Sequence, residues 1–328
     1  MTIAEPHGAT PFHDGELALQ TRAGVKEKIA PYARRAIRNL LTEELREFFE
    51  ELPYVFVASL DGSGQPWASM AWGVPGFASS PEPTLLQVAG ATASGDPLAR
   101  QLAPGAPVGV LGIQLETRRR NRVNGVVMAH EGSSFSLQVT QAFGNCQKYI
   151  QVRRAMFQRD PGARVDAPVY RENSRLSEEA RRMLSAADTV FIASRSEQPS
   201  ASLRGEGVDV SHRGGLPGFL RLSDDAAQTT LTLPDYTGNF LFNTLGNLER
   251  DPRAGLLVVD FERGGLLTLT GDAHVIWEGP EVRAVPGAQR LVRIAVREGV
   301  RMESVLPFTW TAPEFSAQLA RGAYHERP

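Results

Sequence analysis

Val55-Phe56-Val57-Ala58-Ser59 returns 135 residues later as Val190-Phe191-Ile192-Ala193-Ser194. A short apolar run of this kind reads as a buried strand, and its return raises the question of an internal repeat before any other. Working outward, Gly73-Val74-Pro75-Gly76-Phe77 returns 142 residues on as Gly215-Leu216-Pro217-Gly218-Phe219. Leu85 to Gly125 then aligns without a gap onto Leu231 to Gly271, 146 residues on, so that Gly109, Leu111, Glu116 and Gly125 meet Gly255, Leu257, Glu262 and Gly271. Three matches in one order, with the apolar register kept, point to a duplicated unit whose second copy has slightly longer loops.

Each copy reads as β-rich. Tyr54 to Leu60 is a strand and Asp61-Gly62-Ser63-Gly64 a turn. Further strands are expected at Thr84 to Ala89, Val108 to Leu115 and Phe135 to Val139, and in the second copy at Thr189 to Ala193, Gly218 to Leu222, Thr229 to Leu233, Gly255 to Phe261 and Leu266 to Thr270. Short strands between turns suggest a small barrel in each copy rather than alternating βαβ units. One helix interrupts each barrel, in copy two Phe240 to Arg250 before Asp251-Pro252. Outside the repeats the chain reads as helical over Ala30 to Glu51, over Arg175 to Ala187 with Ser174 as a cap, and over Ala284 to Gly299. No low-complexity linker separates the copies, so they are expected to pack on each other.

Composition narrows the function classes. Of 328 residues 42% are hydrophobic and 22% charged, an ordinary globular balance, and the net charge of −2 shows no basic field for nucleic acid. Cys146 is the only cysteine, which excludes an intrachain disulfide and a cysteine-rich zinc site. No run of about 18 apolar residues predicts a membrane span, and Met1 to Gly15 lacks the order of a secretion signal, so a cytoplasmic location is expected. Walker, HExxH, nucleophile-elbow and intact GxGxxG patterns are absent, Gly205-Glu206-Gly207 being too slight a fragment to use. The six histidines are scattered, and no metal site is expected.

Four segments carry dense polar chemistry. In Val210-Ser211-His212-Arg213-Gly214-Gly215 a strand runs into a glycine pair, which lets backbone approach a ligand closely, and Arg213 could grip a phosphate with two parallel bonds; the same residues read equally as a solvated hairpin. Asp235-Tyr236-Thr237-Gly238-Asn239, with Asn243 and Gly246-Asn247-Leu248 beyond it, places Thr237 to Asn239 at the start of the interrupting helix, as an anion site or as ordinary caps. Arg118-Arg119-Arg120-Asn121-Arg122 aligns with the apolar Gly264 to Thr268 and reads as an arginine-rich turn, solvated or ligand-facing. Gln141 to Ile150 follows the last strand of copy one, and its Asn145, Gln147 and Lys148 suit hydrogen bonds to a heterocycle or substrate, or else a capped loop around a small thiol.

These segments together resemble the pyridoxamine 5′-phosphate oxidase-like family, the FMN-binding split barrels. The resemblance rests on His212-Arg213-Gly214-Gly215, Gly218-Phe219, Asp235-Tyr236-Thr237-Gly238-Asn239, Gly246-Asn247-Leu248 and Asp251-Pro252-Arg253, in that order. It covers residues 189–278 well and residues 54–139 weakly. The Phe143-Gly144-Asn145-Cys146 block and the Phe12-His13-Asp14-Gly15-Glu16-Leu17 opening are similar to those of longer, tandem members. The resemblance implies a mainly β fold with flanking helices, two tandem split barrels packed as a pseudo-dimer. The implied divisions are an N-terminal arm and helix (1–51), a degenerate first barrel (52–151), a helical connector (152–188), a second barrel with the cofactor motifs (189–279) and a C-terminal helical extension (280–328).

It also implies FMN between the barrels, held by Ser211, His212, Arg213, Thr237, Gly238, Asn239 and Asn243 of copy two, with Arg118, Arg119, Arg120, Asn145, Gln147 and Lys148 of copy one. Where copy two has His212-Arg213-Gly214-Gly215, copy one has Met70-Ala71-Trp72-Gly73, while only copy one keeps the arginine run. Complementary losses suggest one composite site and one FMN per chain; in a rival geometry Arg118 to Arg120 face solvent or another chain. The leading expectation is an FMN-dependent oxidoreductase acting on a small molecule, with a donor such as NAD(P)H, no nucleic-acid or membrane partner, and a symmetric homodimer as default. The alternatives are a flavin carrier or redox sensor without turnover, a haem-binding split barrel with His130, His212 or His274 as ligand, and an inert scaffold. The substrate-phosphate pattern of the true oxidases is not evident around Arg321 and His325.

Overall fold

The computed structural model describes residues 10–196, 205–225 and 227–320. The chain opens with helices α1 (Asp14–Arg22), α2 (Lys26–Ala36) and α3 (Glu43–Glu50). Strands β1 (Tyr54–Leu60), β2 (Pro66–Trp72), β3 (Ala78–Glu82) and β4 (Leu85–Val88) follow, then helix α4 (Leu98–Gln101) and strands β5 (Pro107–Gln114), β6 (Arg119–Glu131) and β7 (Ser134–Gly144). The connector holds β8 (Ala155–Phe157), β9 (Val169–Glu172) and helix α5 (Glu178–Ala186). The second copy runs through β10 (Thr189–Arg195), β11 (Val208–Gly214), β12 (Arg221–Asp224), β13 (Thr229–Tyr236), α6 (Asn243–Arg250), β14 (Arg253–Asp260), β15 (Gly265–Ile276), α7 (Pro280–Arg283) and β16 (Ala288–Met302), and β17 (Phe308–Trp310) and α8 (Ala317–Ala320) end it.

The duplication is written in the strand order. One sheet runs β2-β1-β5-β6-β7-β4-β3 and the other β11-β10-β14-β15-β16-β13-β12, the same path through equivalent strands. All neighbours on both paths are antiparallel. Both sheets carry a register shift at the equivalent place, Asn124/Gly125 and Thr270/Gly271, so the bulge was copied with the barrel.

The founding pentapeptide is apolar at its first four positions because both faces of its strand are buried. Val55 and Val57 point into the core of the first barrel, and Val190 and Ile192 into that of the second. The alternate residues Phe56, Ala58, Phe191 and Ala193 enter a third core shared between the barrels. There the equivalent Phe56 and Phe191 rings stack on each other, 3.4 Å apart and 14° from parallel, on the pseudo-twofold axis. Close approach is set by a matched glycine pair. A Cβ on Gly109 would lie 2.7 Å from the Val208 carbonyl oxygen, and one on Gly255 2.6 Å from that of Pro66. In the second repeated motif, Gly73 and Gly215 lie under the Phe77 and Phe219 rings, where a Cβ would meet the side chain at 2.5 and 2.4 Å.

Several element expectations are corrected. Residues 288–302 form β16, not a helix: Val292, Ile294 and Val296 alternate into the second barrel's core while Arg293 and Arg297 face outward, the period of a β-branched strand. The second barrel therefore runs past 279, and 280–328 is not a helical extension. The expected helix over 30–51 is two, because the chain is extended at Ile37 and pairs Arg38 with Ala142 before Thr42 caps α3. Helix α3 also belongs to the repeat: Thr42 accepts from Leu45 N–H as Ser177 accepts from Ala180 N–H at the start of α5, again 135 residues on. Ser177, not Ser174, is thus the cap of α5. Arg119 to Arg122 open strand β6 rather than forming a turn, and residues 141–144 still belong to β7. Helix α6 begins at Asn243, because Phe240 and Phe242 both take left-handed backbone (φ +62° and +64°), so Thr237 to Asn239 lie in the loop before it.

Candidate functional site

The barrels meet at a cleft open to solvent, about 860 Å³ with the open solvent counted in, walled by both copies. From copy two come the end of β11, with Ser211, His212 and Arg213, and the loop and first turn around α6, with Gly238, Asn239, Asn243 and Thr244. From copy one come Arg120 and Arg122 on alternate positions of β6, and Asn145, Lys148 and Tyr149 beyond β7. Of the residues expected to form the site, Ser211, His212, Arg213, Gly238, Asn239, Asn243, Arg120, Asn145 and Lys148 therefore converge.

Four do not line the cleft. Arg119 points the other way off β6, onto Glu44 at 3.4 Å and the Phe48 ring. Arg118, at a left-handed position, donates to the Ile150 carbonyl and pairs with Glu314 at 3.2 Å. Thr237 is behind the wall, its carbonyl accepting from the Tyr149 hydroxyl at 3.3 Å, and Gln147 is exposed. The glycine pair after Arg213 serves protein packing rather than a ligand: a Cβ on Gly214 would lie 2.0 Å from the Tyr149 carbonyl oxygen, so Gly214 is what lets copy one's tail cross β11.

The cleft is cationic by construction. Arg120 and Arg213 both donate to the His212 carbonyl oxygen, at 3.4 and 3.1 Å, which holds two guanidiniums side by side. Arg120 also donates to the Cys146 carbonyl at 2.6 Å. Burial, and then the charge of Arg213, push its pKa down to about 9. Arg122 is only 2% exposed and donates to Val210 O at 3.0 Å and to the Ser211 hydroxyl, with Asp209 at 3.7 Å. Of the lining carboxylates there is only Asp235, and it is committed to Arg290 at 3.0 Å, with Arg213 at 3.9 Å.

Three buried polar atoms on these walls make no hydrogen bond: Nε and Nη1 of Arg122, the latter facing Asp209 at 3.7 Å, and Nε2 of His212. Buried donors without acceptors are costly and rare. Burial, reinforced by Arg120 and Arg213, holds the His212 pKa well below the ordinary histidine value, so its imidazole is neutral and offers Nε2 as donor or acceptor. An anion bearing several acceptors answers this set, and the residues present fit FMN on that ground. Arg122, Tyr149, Tyr236, Thr244 and Arg290 were absent from the expected list. Alternation along β6 pairs Arg122 with Arg120, and the strand register pairs Arg290 with Asp235, but the latter is visible only once β16 is read as a strand.

The pseudo-equivalent site on the other side is closed. Strand register places Met70 where copy two has His212, Ala71 for Arg213, and Leu266 and Thr268 for Arg120 and Arg122. Met70 and Leu266, with Met302, Val305 and Leu306, join the shared apolar core. Thr268 keeps a trace of the old geometry, donating to the Ala68 carbonyl at 2.7 Å as Arg122 donates to Val210. The connector lies over this side, its Pro161 carbonyl accepting from the Trp72 indole at 3.1 Å.

Among the described residues no group of three or more His, Cys, Asp and Glu is placed to hold a metal, and no helix is long and apolar enough to cross a membrane. Arg321 and His325 lie outside the described residues.

Several solved structures align with part of the chain. HupZ of Group A Streptococcus is 18% identical, covering 37% of this chain and 90% of that chain with a TM-score of 0.28. A conserved protein of unknown function from Corynebacterium diphtheriae is 18% identical, with coverages of 42% and 98% and a TM-score of 0.29. HutZ, the haem storage protein from Vibrio cholerae, is 12% identical, with coverages of 40% and 97% and a TM-score of 0.26. No curated protein sequence matches the chain. Residues 176–312 match the family model described as pyridoxamine 5′-phosphate oxidase, which spans α5 and every strand of the second barrel. The second barrel thus matches the pyridoxamine 5′-phosphate oxidase family model, and the first barrel repeats its strand order.

Proposed function

We propose that the chain binds FMN in the inter-barrel cleft and is a flavin-dependent oxidoreductase for a small molecule. The observation that carries the reading is the convergence, from two barrels, of Arg120, Arg122, Arg213 and Lys148 with three buried polar atoms that make no hydrogen bond, in one open cleft. Arg213 and Arg120, held together at the His212 carbonyl, suit a phosphate dianion between two guanidiniums. Asn239, Asn243 and Thr244 offer neutral polar groups beside it for a polyol chain, and Leu111, Phe240 and Phe242 an apolar wall for a planar ring. Bound FMN would supply hydride or single-electron transfer; the protein contributes binding, orientation and charge. Lys148 on the copy-one wall is the cation available to stabilise a reduced, anionic ring.

One observation favours a second reading. The neutral His212 with its unpartnered Nε2 is also what a haem iron takes as an axial ligand, and arginines suit propionates. The absorption spectrum of the purified protein separates the two. A flavin spectrum that bleaches with NADH or NADPH under anaerobic conditions supports the oxidoreductase. A flavin spectrum with no turnover makes the protein a carrier or sensor. A Soret band lost in His212→Ala supports haem, and a colourless protein that takes up neither FMN nor haem overturns both readings.

A further inference from the structure

Segment 12–20 lies far from both barrels in sequence, yet it is built into the wall of the cleft. Glu16 is 2% exposed, and its Oε1 accepts from the Asn243 side-chain amide at 2.5 Å. Its Oε2 accepts from the His13 backbone N–H at 3.0 Å, closing a capping box on α1. His13 Nε2 meets Asn247 Oδ1 at 2.9 Å, and the Gln20 amide donates to the Leu241 carbonyl at 3.1 Å. Helices α1 and α6 touch backbone to backbone: a Cβ on Gly15 would lie 2.2 Å from the Gly246 carbonyl oxygen, and one on Gly246 2.7 Å from Glu16. On the other side the Gln141 amide of copy one donates to the Pro11 carbonyl at 2.9 Å, and Phe12 shares a small core with Phe143 and Leu241. The segment therefore bridges the two barrels at one edge of the cleft.

The start of α6, which it grips, has no side-chain cap of its own. Phe242, the residue before α6, sits with Phe240 in left-handed backbone. The first-turn N–H groups of α6 have no intrahelical partner, and Asn243, Thr244 and Leu245 line the cleft. We infer that segment 12–20 is a strap that completes the ligand site, and that Glu16 is its positioning residue, setting the Asn243 amide and the opening turn of α6. By taking an Nδ2 hydrogen, Glu16 leaves the Asn243 carbonyl oxygen as an acceptor for a ligand N–H or O–H beside the cleft's arginines. The inference rests on the reading of the cleft as an FMN site, but its test has an arm that needs no FMN.

The full-length chain is compared with Glu16→Ala, Glu16→Gln and Asn243→Ala by hydrogen exchange without cofactor and by FMN titration. In Glu16→Ala, exchange over residues 240–248 rises about tenfold while β10 and β14 stay protected, the loss of one buried hydrogen bond. FMN binding weakens by about tenfold in Glu16→Ala and in Asn243→Ala, and the double variant is no worse than either, as for two residues acting as a unit. Glu16→Gln, which keeps the acceptor for Asn243, recovers most of the affinity. Exchange over 240–248 and FMN affinity both unchanged in Glu16→Ala overturn the strap, as does additivity of the two substitutions. If the wild type takes up no FMN, the cofactor reading falls and the exchange arm alone decides the strap.

Discussion

At the scale of single residues, the cleft is a place where charge has been gathered against its own repulsion. Burial, and then the charge of Arg213, lower the ionisation of Arg120, burial lowers that of Arg122 against the pull of Asp209, and a bound dianion would favour the charged forms. Arg213→Ala and Arg120→Ala should each weaken FMN binding by about 10- to 100-fold, the scale of a charge-assisted hydrogen bond of about 1.5–3 kcal/mol. Fluorescence titration checks this, and undiminished binding in either variant contradicts the clamp. Both substitutions should leave the melting temperature of the cofactor-free protein unchanged or raised, since they remove like charges from a buried cluster.

Glu16 gives a pH signature at the same scale. Burial raises its carboxyl from the ordinary 4.5 to about 8. Between those values the folded protein holds a proton that the unfolded chain has released, so stability falls as pH rises through the window. Other buried groups act lower down: Asp96, raised by burial to about 6, has finished by then, and His13 and His212, both lowered by burial, titrate in the unfolded chain only up to about 6.5. The histidine contribution is common to both proteins, so from pH 6.5 to 8 the wild type should lose about 1–2 kcal/mol more than Glu16→Gln. Urea midpoints at the two pH values measure this; equal losses in both proteins would remove Glu16 as the cause.

Elements succeed or fail here by which faces they bury. β1 and β10 bury both, which is why their pentapeptides are apolar up to the closing serine and recur so visibly. β16 buries one face and exposes arginines on the other, and its Arg-Leu-Val-Arg-Ile-Ala-Val-Arg run admits a helical reading until Val292, Ile294 and Val296 are counted at period two. The arginine run misled in the same way: on a strand it splits, Arg120 and Arg122 inward and Arg119 outward, a separation that a turn would not impose. Thus β1, β5, β10 and β14 were legible in the sequence, while β2, though buried on both faces, the half-buried β16 and the helix α6 boundary were not. The left-handed residues before α6 are phenylalanines, and nothing local in sequence announces them. Among glycines, Gly255→Val should cost about 1–3 kcal/mol by forcing the barrels apart. Gly62→Ala, in a turn with nothing near the new Cβ, should be neutral by the same urea measurement. Equal effects would mean that the inter-barrel contact is not close-packed.

On the scale of the whole molecule, duplication has let the two junction sites diverge. One kept His212, Arg213, Arg120 and Arg122; the other became a hydrophobic core around Met70, Leu266 and Leu306, adding apolar burial at about 1.5–3 kcal/mol per large side chain. That division was readable as complementary losses between aligned positions. The strap was not, because Glu16 and Asn243 stand far apart in the chain and only the crossing of Gly15 with Gly246 brings them together. A tandem chain of this kind needs no second subunit to complete its cleft, since both walls come from one polypeptide.

Calorimetric titration of FMN into the cofactor-free protein tests the composite cleft most directly, run on the wild type and on one substitution from each barrel. One FMN per chain, lost or strongly weakened by Arg120→Ala and by Arg213→Ala alike, is the expected result. Two FMN per chain, or binding that ignores the arginine of one barrel, would contradict it.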